Sequence, residues 1–152
     1  LASEPRLIVC DEPTSALDVS VQAQVLNLMS DLKDELGLTY LLITHDLTVV
    51  QHMADKIGVL YLGRLVEEAD PETLFSSPKH PYTQMLLNAA PRMDGFGREV
   101  PPPQGEIPDP IDPPTGCAFH PRCPIATDAC RKDRPPMRQL AKGRVACHLA
   151  ED

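Results

Sequence analysis

Apolar residues are arranged along this chain in two patterns. Some form short unbroken runs; others recur every three or four positions. The runs LIVC at 7–10 and LTYLLIT at 38–44 are of the first kind. Such runs, bounded by polar turns, suit buried strands of a parallel sheet. Between them Val21, Val25, Leu28, Met29, Leu32 and Leu36 fall on one helical face. Asp18 or Ser20 can cap that helix at its start, and Gly37 can end it. HDLTVVQHMAD at 45–55 predicts a second helix, capped near Asp46, with Leu47, Val50 and Met53 inward. IGVLYLGRLVEEA at 57–69 predicts a strand, a turn at 63–64 and a second strand. PETLFSS at 71–77 and PYTQMLLNAA at 81–90 predict two short helices, each opened by Pro at its first turn. The alternation of strands and helices marks residues 1–76 as α/β.

The pattern stops at Pro91. Eight of the 17 prolines lie between 91 and 116, which predicts an extended connector of polyproline character. The expected organisation is therefore 1–76 as the α/β part, 77–116 as a helix plus connector, and 117–150 as a small unit rich in Cys and Arg. So few residues cannot bury enough apolar surface to fold alone, so cross-links or docking are needed. The 152 residues hold one ordinary domain or somewhat more. The first residue is Leu, so the chain need not begin where a gene begins. Apolar content is 42% but aromatic content only 4%, which predicts a core of Leu, Val, Ile and Ala. A net charge of -8 argues against nucleic acid as a partner, since that needs a basic surface. No run of about 18 apolar residues is present to span a membrane, and no signal peptide opens the chain.

The chemistry begins where the first strand ends. LIVC runs into Asp11 and Glu12 and breaks at Pro13. A carboxylate at a strand end can hold Mg²⁺, as Asp11 would. Its neighbour Glu12 can act as general base toward a water. One strand later, LLIT delivers His45, which can contact a terminal phosphate. Ends of adjacent parallel strands lie side by side, where ligands usually bind. Taken singly, Asp-Glu-Pro reads as a solvated strand exit and His45 as a polar helix start. Their matching positions favour a phosphate site.

LIVCDEPTSALD, a helix and then LLITHDL resemble the second half of the ATPase domain of ABC transporters. The resemblance implies the C-terminal part of a P-loop, RecA-like ATPase fold. It makes Asp11 the Walker B carboxylate that binds Mg-ATP and Glu12 the catalytic carboxylate. Ser15 and Asp18 fall in the SALD loop of the dimer interface, and His45 is the switch histidine facing the γ-phosphate. The phosphate loop G-x-x-x-x-G-K-[ST] is not in this chain. Residues 58–65 imitate its spacing, but Arg64 and Leu65 replace the Lys and the hydroxyl. The Gln loop and LSGGQ-type signature are absent too, so the chain is expected to be the C-terminal part of a longer ATPase. By itself it is expected not to hydrolyse ATP, and an uncovered sheet edge is expected to favour pairing or aggregation. YLGRLVEE at 61–68, SSPKHPYTQMLL at 76–87 and the Cys-bearing tail resemble the oligopeptide/dipeptide importer ATPases. In HPYT, a structural role is favoured: Pro81 at a first turn and Tyr82 packed inward.

Cys117, Cys123, Cys130 and Cys147 crowd into the tail at spacings of five, six and sixteen intervening residues. The paired C-x2-C knuckles of zinc sites are missing, as is the ferredoxin run. Four such thiolates can still close round Zn²⁺ or a [4Fe–4S] cluster, form two disulfides or stay free. The importer resemblance favours the iron–sulfur cluster, with Arg122, Arg131, Arg134, Arg138 and Arg144 balancing its negative charge and a structural staple as its preferred role. Cys10 reads as a small buried hydrophobe. The leading function is thus the ATP-binding subunit of a bacterial peptide ABC importer. Expected partners are transmembrane permease subunits, a second ABC ATPase subunit and, indirectly, an extracytoplasmic substrate-binding protein. The expected location is the cytoplasmic face of the membrane. A non-transport ABC ATPase, or a stand-alone iron–sulfur or zinc module, are the alternatives.

Overall fold

The computed structural model describes residues 4–89 and 105–152. Most of the proline-rich stretch expected at 91–116 lies outside the described residues. The chain divides after Ala54 into two compact units.

The first unit is built on a parallel pair. Strand β1 (Leu7–Asp11) runs beside β2 (Thr39–Ile43), with Leu7 opposite Thr39 and Asp11 opposite Ile43. Helix α1 (Val19–Leu36) makes the crossover. Asp18 caps it, its carboxylate accepting from the Val21 N–H. Gly37 ends it in the left-handed conformation at φ 64°, where a Cβ is unfavourable. Helix α2 (Leu47–Met53) follows β2, capped by Asp46.

The expected inward faces are shifted. On α1 the buried residues are Leu26 and Met29, while Leu28 and Leu36 are exposed. On α2 the buried residue is Val49, one position away from the expected Val50. The strands differ more. Leu7, Val9, Leu41 and Ile43 are each at least half exposed and share one face of the pair. Both strands carry apolar residues on both faces, but only one face is covered.

The second unit contains an antiparallel sheet in the order β3-β4-β6-β5. Strands β3 (Ile57–Tyr61) and β4 (Arg64–Ala69) form a hairpin. Leu62 and Gly63 turn it with positive φ at both positions, 46° and 72°, the turn that matches strand twist. Residues 58–65 are therefore strand and hairpin turn, not a phosphate loop. Helices α3 (Pro71–Ser76) and α4 (Pro81–Ala89) come next, then α5 (Asp128–Lys132) and a second hairpin, β5 (Arg138–Leu140) and β6 (Gly143–Val145). Strand β6 pairs with β4 through Glu67 opposite Val145 and Glu68 opposite Arg144. The tail thus shares a sheet with residues 57–69.

An aromatic cluster holds this unit, contrary to the expected aliphatic core. Tyr61, Val66 and Phe119 are its buried centre, with Tyr82 and Met85 against them. The Tyr61 and Phe119 rings meet edge to face at 5.3 Å, and Tyr61 and Tyr82 lie 4.6 Å apart. Such pairs add about 0.5–1.5 kcal/mol beyond area burial.

Candidate functional sites

The candidate phosphate site lies at the ends of β1 and β2. The Glu12 N–H donates to the Ile43 carbonyl at 2.8 Å, which extends the pairing by one residue beyond Asp11. Glu12 then adopts φ 48°, left-handed for a residue with a Cβ. Holding it there costs about 1–3 kcal/mol, a strain found most often at functional positions. The turn brings Glu12 to His45. Oε1 of Glu12 lies 2.7 Å from Nδ1 of His45, and the Thr44 hydroxyl donates to Oε2 at 3.4 Å. The Glu12 hydrogen bond, then its charge, raises the His45 pKa above the ordinary histidine value. The His45 ring is otherwise largely open to solvent. Asp11 is exposed at its strand end. These two strand ends bring Glu12 and His45 into contact, and Asp11 is the last residue of β1, one position before Glu12.

Ser15 and Asp18 occupy the loop that follows. The Ser15 hydroxyl donates to the Glu12 carbonyl at 3.1 Å. Asp18 is exposed, and its carboxylate caps α1; the Val21 N–H, first among several donors, holds its pKa below the usual range. Thr14 and Gln22 were not anticipated. Thr14 is 3% exposed, and Gln22 joins it to Asp46. The available signal was a polar residue one turn before Leu26, on the buried face of α1.

The second site lies in the tail. Cys117, Cys123, Cys130 and Cys147 all line one small cavity with His80, Phe119 and His148. All four are free thiols. The Cys117 N–H donates to the Cys130 carbonyl at 2.8 Å, joining two of the segments. Gly116 makes that approach possible: at φ 70°, a Cβ would lie 2.4 Å from the Cys130 carbonyl oxygen. Burial raises the thiol pKa of Cys117 and Cys123, and the neighbouring cysteines raise both further. Among the described residues no three His, Cys, Asp or Glu side chains are set to hold one metal ion.

Three of the five tail arginines contact carboxylates or carbonyls. Arg144 pairs with Glu68 at 2.6 Å, and Arg131 lies 3.6 Å from Asp128. Arg138 donates to the carbonyls of Cys147 and Ala150 at 2.7 and 2.9 Å, so it clamps the Cys147 loop. His120 and His148 each spend a ring nitrogen on a backbone carbonyl, of Cys117 and Asp133 respectively.

The HPYT segment joins the tail to the hairpin. His80 is 1% exposed. Burial lowers its pKa to about 4, so its ring is neutral at pH 7. Its Nδ1 accepts from the Tyr82 N–H at 3.0 Å, filling a capping role at the start of α4. Pro81 occupies the first turn, where no donor is needed. Glu67, buried on β4, accepts from the N–H groups of Lys79 and His80 at 2.6 and 3.0 Å. A Glu-Glu pair reads as solvated in sequence, so this role of Glu67 was not legible.

Residues 66–130 match the family model for the oligopeptide/dipeptide transporter C-terminal region. Nearly all of the chain is also similar to transport ATP-binding proteins. It is 54% identical to the dipeptide transport ATP-binding protein DppF of Haemophilus influenzae, over 97% of this chain and 46% of that protein. It is 48% identical to the oligopeptide transport ATP-binding protein AppF of Bacillus subtilis, over 98% of this chain and 46% of that protein. The chain therefore spans less than half the length of these relatives. Among solved structures, CbiO1 of Clostridium perfringens, part of the ABC transporter complex CbiONQ, matches 49% of this chain and 30% of its own with 31% identity and a TM-score of 0.46. Among the described residues, no helix is long and apolar enough to cross a membrane.

Proposed function

We propose that this chain is the C-terminal part of the ATP-binding subunit of a peptide ABC importer, which couples ATP hydrolysis to uptake of oligopeptides or dipeptides. The observation that carries the reading is the 2.7 Å Glu12–His45 contact at adjacent parallel strand ends, in a chain about half identical to peptide-transport ATP-binding proteins. Each residue has a role. Asp11, exposed beside them, would hold Mg²⁺, which supplies charge neutralisation at the phosphates when bound. Glu12 takes the proton of the attacking water. His45 reaches the terminal phosphate with its ring N–H, and its raised pKa favours the donor form. Ser15 and Asp18 face a second ATPase subunit. Permease subunits in the membrane and an extracytoplasmic substrate-binding protein complete the assembly, with this subunit peripheral on its cytoplasmic face. In the full-length subunit, Glu12→Gln should abolish ATP turnover while ATP still binds. Turnover within twofold of the unaltered subunit would refute the assignment.

We infer that the four tail cysteines hold a [4Fe–4S] cluster that staples the tail. Support comes from four free thiols around one cavity. Zn²⁺ held by the same four thiolates is the alternative. A cluster needs only one thiolate per iron. Iron and acid-labile sulfide are measured on anaerobically purified protein. Four of each per chain supports the cluster. One zinc without sulfide, or neither metal, refutes it.

A further inference from the structure

Glu12 and His45 sit on two different loops, and one side chain bridges those loops. Gln22 projects from the first turns of α1. Its Nε2 donates to Asp46 Oδ2 at 2.8 Å and to Thr14 Oγ1 at 3.3 Å. Thr14 is buried two positions beyond Glu12, and Asp46 adjoins His45. The other Asp46 oxygen accepts from the N–H groups of Thr48 and Val49, which fixes the start of α2. The Asp46 N–H donates to the Thr44 hydroxyl at 3.1 Å, and that hydroxyl donates to Glu12 at 3.4 Å. The chain of contacts thus runs from Thr14 through Gln22, Asp46 and Thr44 back to Glu12.

We propose that Gln22 is a positioning residue: it ties the 12–18 loop to the start of α2 and so holds Glu12 and His45 in their working relation. The inference rests on the catalytic reading of Glu12 and His45 given above. An amide suits the task because its NH₂ offers two donors, one for each loop. Glutamate has the same shape but neither donor, and methionine has similar length without hydrogen bonds. The Asp46 carboxylate is held below its usual pKa range, with the Gln22 bond the largest cause. Hydrogen bonds within such a network reinforce one another, so a break at Gln22 affects both loops.

The test is ATP turnover by the full-length subunit. Gln22→Glu should lower kcat about tenfold or more, because small misplacements of reacting groups are costly. KM for Mg-ATP should stay within about twofold, because the loss falls on the transition state. Adding Asp46→Asn to that variant restores one hydrogen bond with its direction reversed, and should recover most of kcat. Gln22→Met should show the same kcat loss without added charge. An unchanged kcat in Gln22→Met, or a Gln22→Glu loss that Asp46→Asn does not recover, overturns the proposal. Glu12→Gln separates the two readings. If it leaves turnover intact, the catalytic reading has failed; if it abolishes turnover while Gln22→Met does not, only the role of Gln22 has failed.

Discussion

The two units of this chain are stabilised by different interactions. In the unit ending at Ala54, Glu12 and His45 are tied together by side-chain hydrogen bonds through Thr14, Gln22, Thr44 and Asp46. Leu7, Val9, Leu41 and Ile43 remain at least half exposed on one sheet face. In the unit beginning at Asp55, Phe119, Leu74, His80 and Val145 are buried to within 2%. There, rings, strand pairing and a buried glutamate join the tail to the hairpin. A parallel strand pair is ordinarily covered on both faces. The first unit therefore sets Glu12 and His45 on a scaffold that is only half buried, whereas the second buries Cys130 and Cys147 and leaves Cys117 and Cys123 partly buried.

The sharpest way to test that contrast is to remove the centre of the second core. Phe119→Ala should cost about 3–5 kcal/mol, the range for deleting a buried aromatic ring. Denaturant unfolding should show the loss, and hydrogen exchange should confine it to residues after 55. Equal loss of protection on α1 would break the contrast. Glu67→Ala should cost less, about 2–3 kcal/mol. It leaves the Lys79 and His80 N–H groups without their acceptor, and bonds to a charged group are worth more than neutral ones. Unfolding of that variant should begin at α4. Stability within about 0.5 kcal/mol of the unaltered protein would mean that the segment is held elsewhere.

Legibility in the sequence follows the same division. In the first unit the strands, both helices and the Asp18, Gly37 and Asp46 caps were readable, because each depends on neighbours a few residues away. The Glu12–His45 approach was readable too, because parallel strand ends are adjacent by topology. Gln22 was not: its partners Thr14 and Asp46 lie 8 and 24 positions away. In the second unit the hairpin and the helices opened by proline were legible, but the pairing of β6 with β4 was not. It joins residues nearly 80 positions apart, 67 with 145, and no local pattern specifies it. The aromatic core was missed because a low aromatic count does not reveal that Tyr61, Tyr82 and Phe119 converge.

Two smaller effects test the first unit. Asp46→Ala removes the cap of α2 and should cost about 1 kcal/mol, seen as faster hydrogen exchange at Thr48 and Val49. Unchanged exchange at both would show that α2 is not held by its cap. The smallest effect concerns His45, followed by NMR of its imidazole. Its folded pKa is raised, by the Glu12 hydrogen bond first and by the Glu12 charge second. A histidine with a raised pKa contributes stability below its unfolded pKa of about 6.5. That contribution disappears as pH rises through the higher folded value. The ring is exposed, so the effect on stability is slight and the titration midpoint is the useful readout. It should lie above the ordinary histidine value and fall toward it in Glu12→Gln, because the neutral amide removes the charge. Added salt should move it the same way. A midpoint that ignores Glu12→Gln would mean that His45 and Glu12 are not paired in solution. The half-covered first unit would then not hold its two candidate catalytic groups together in the absence of nucleotide.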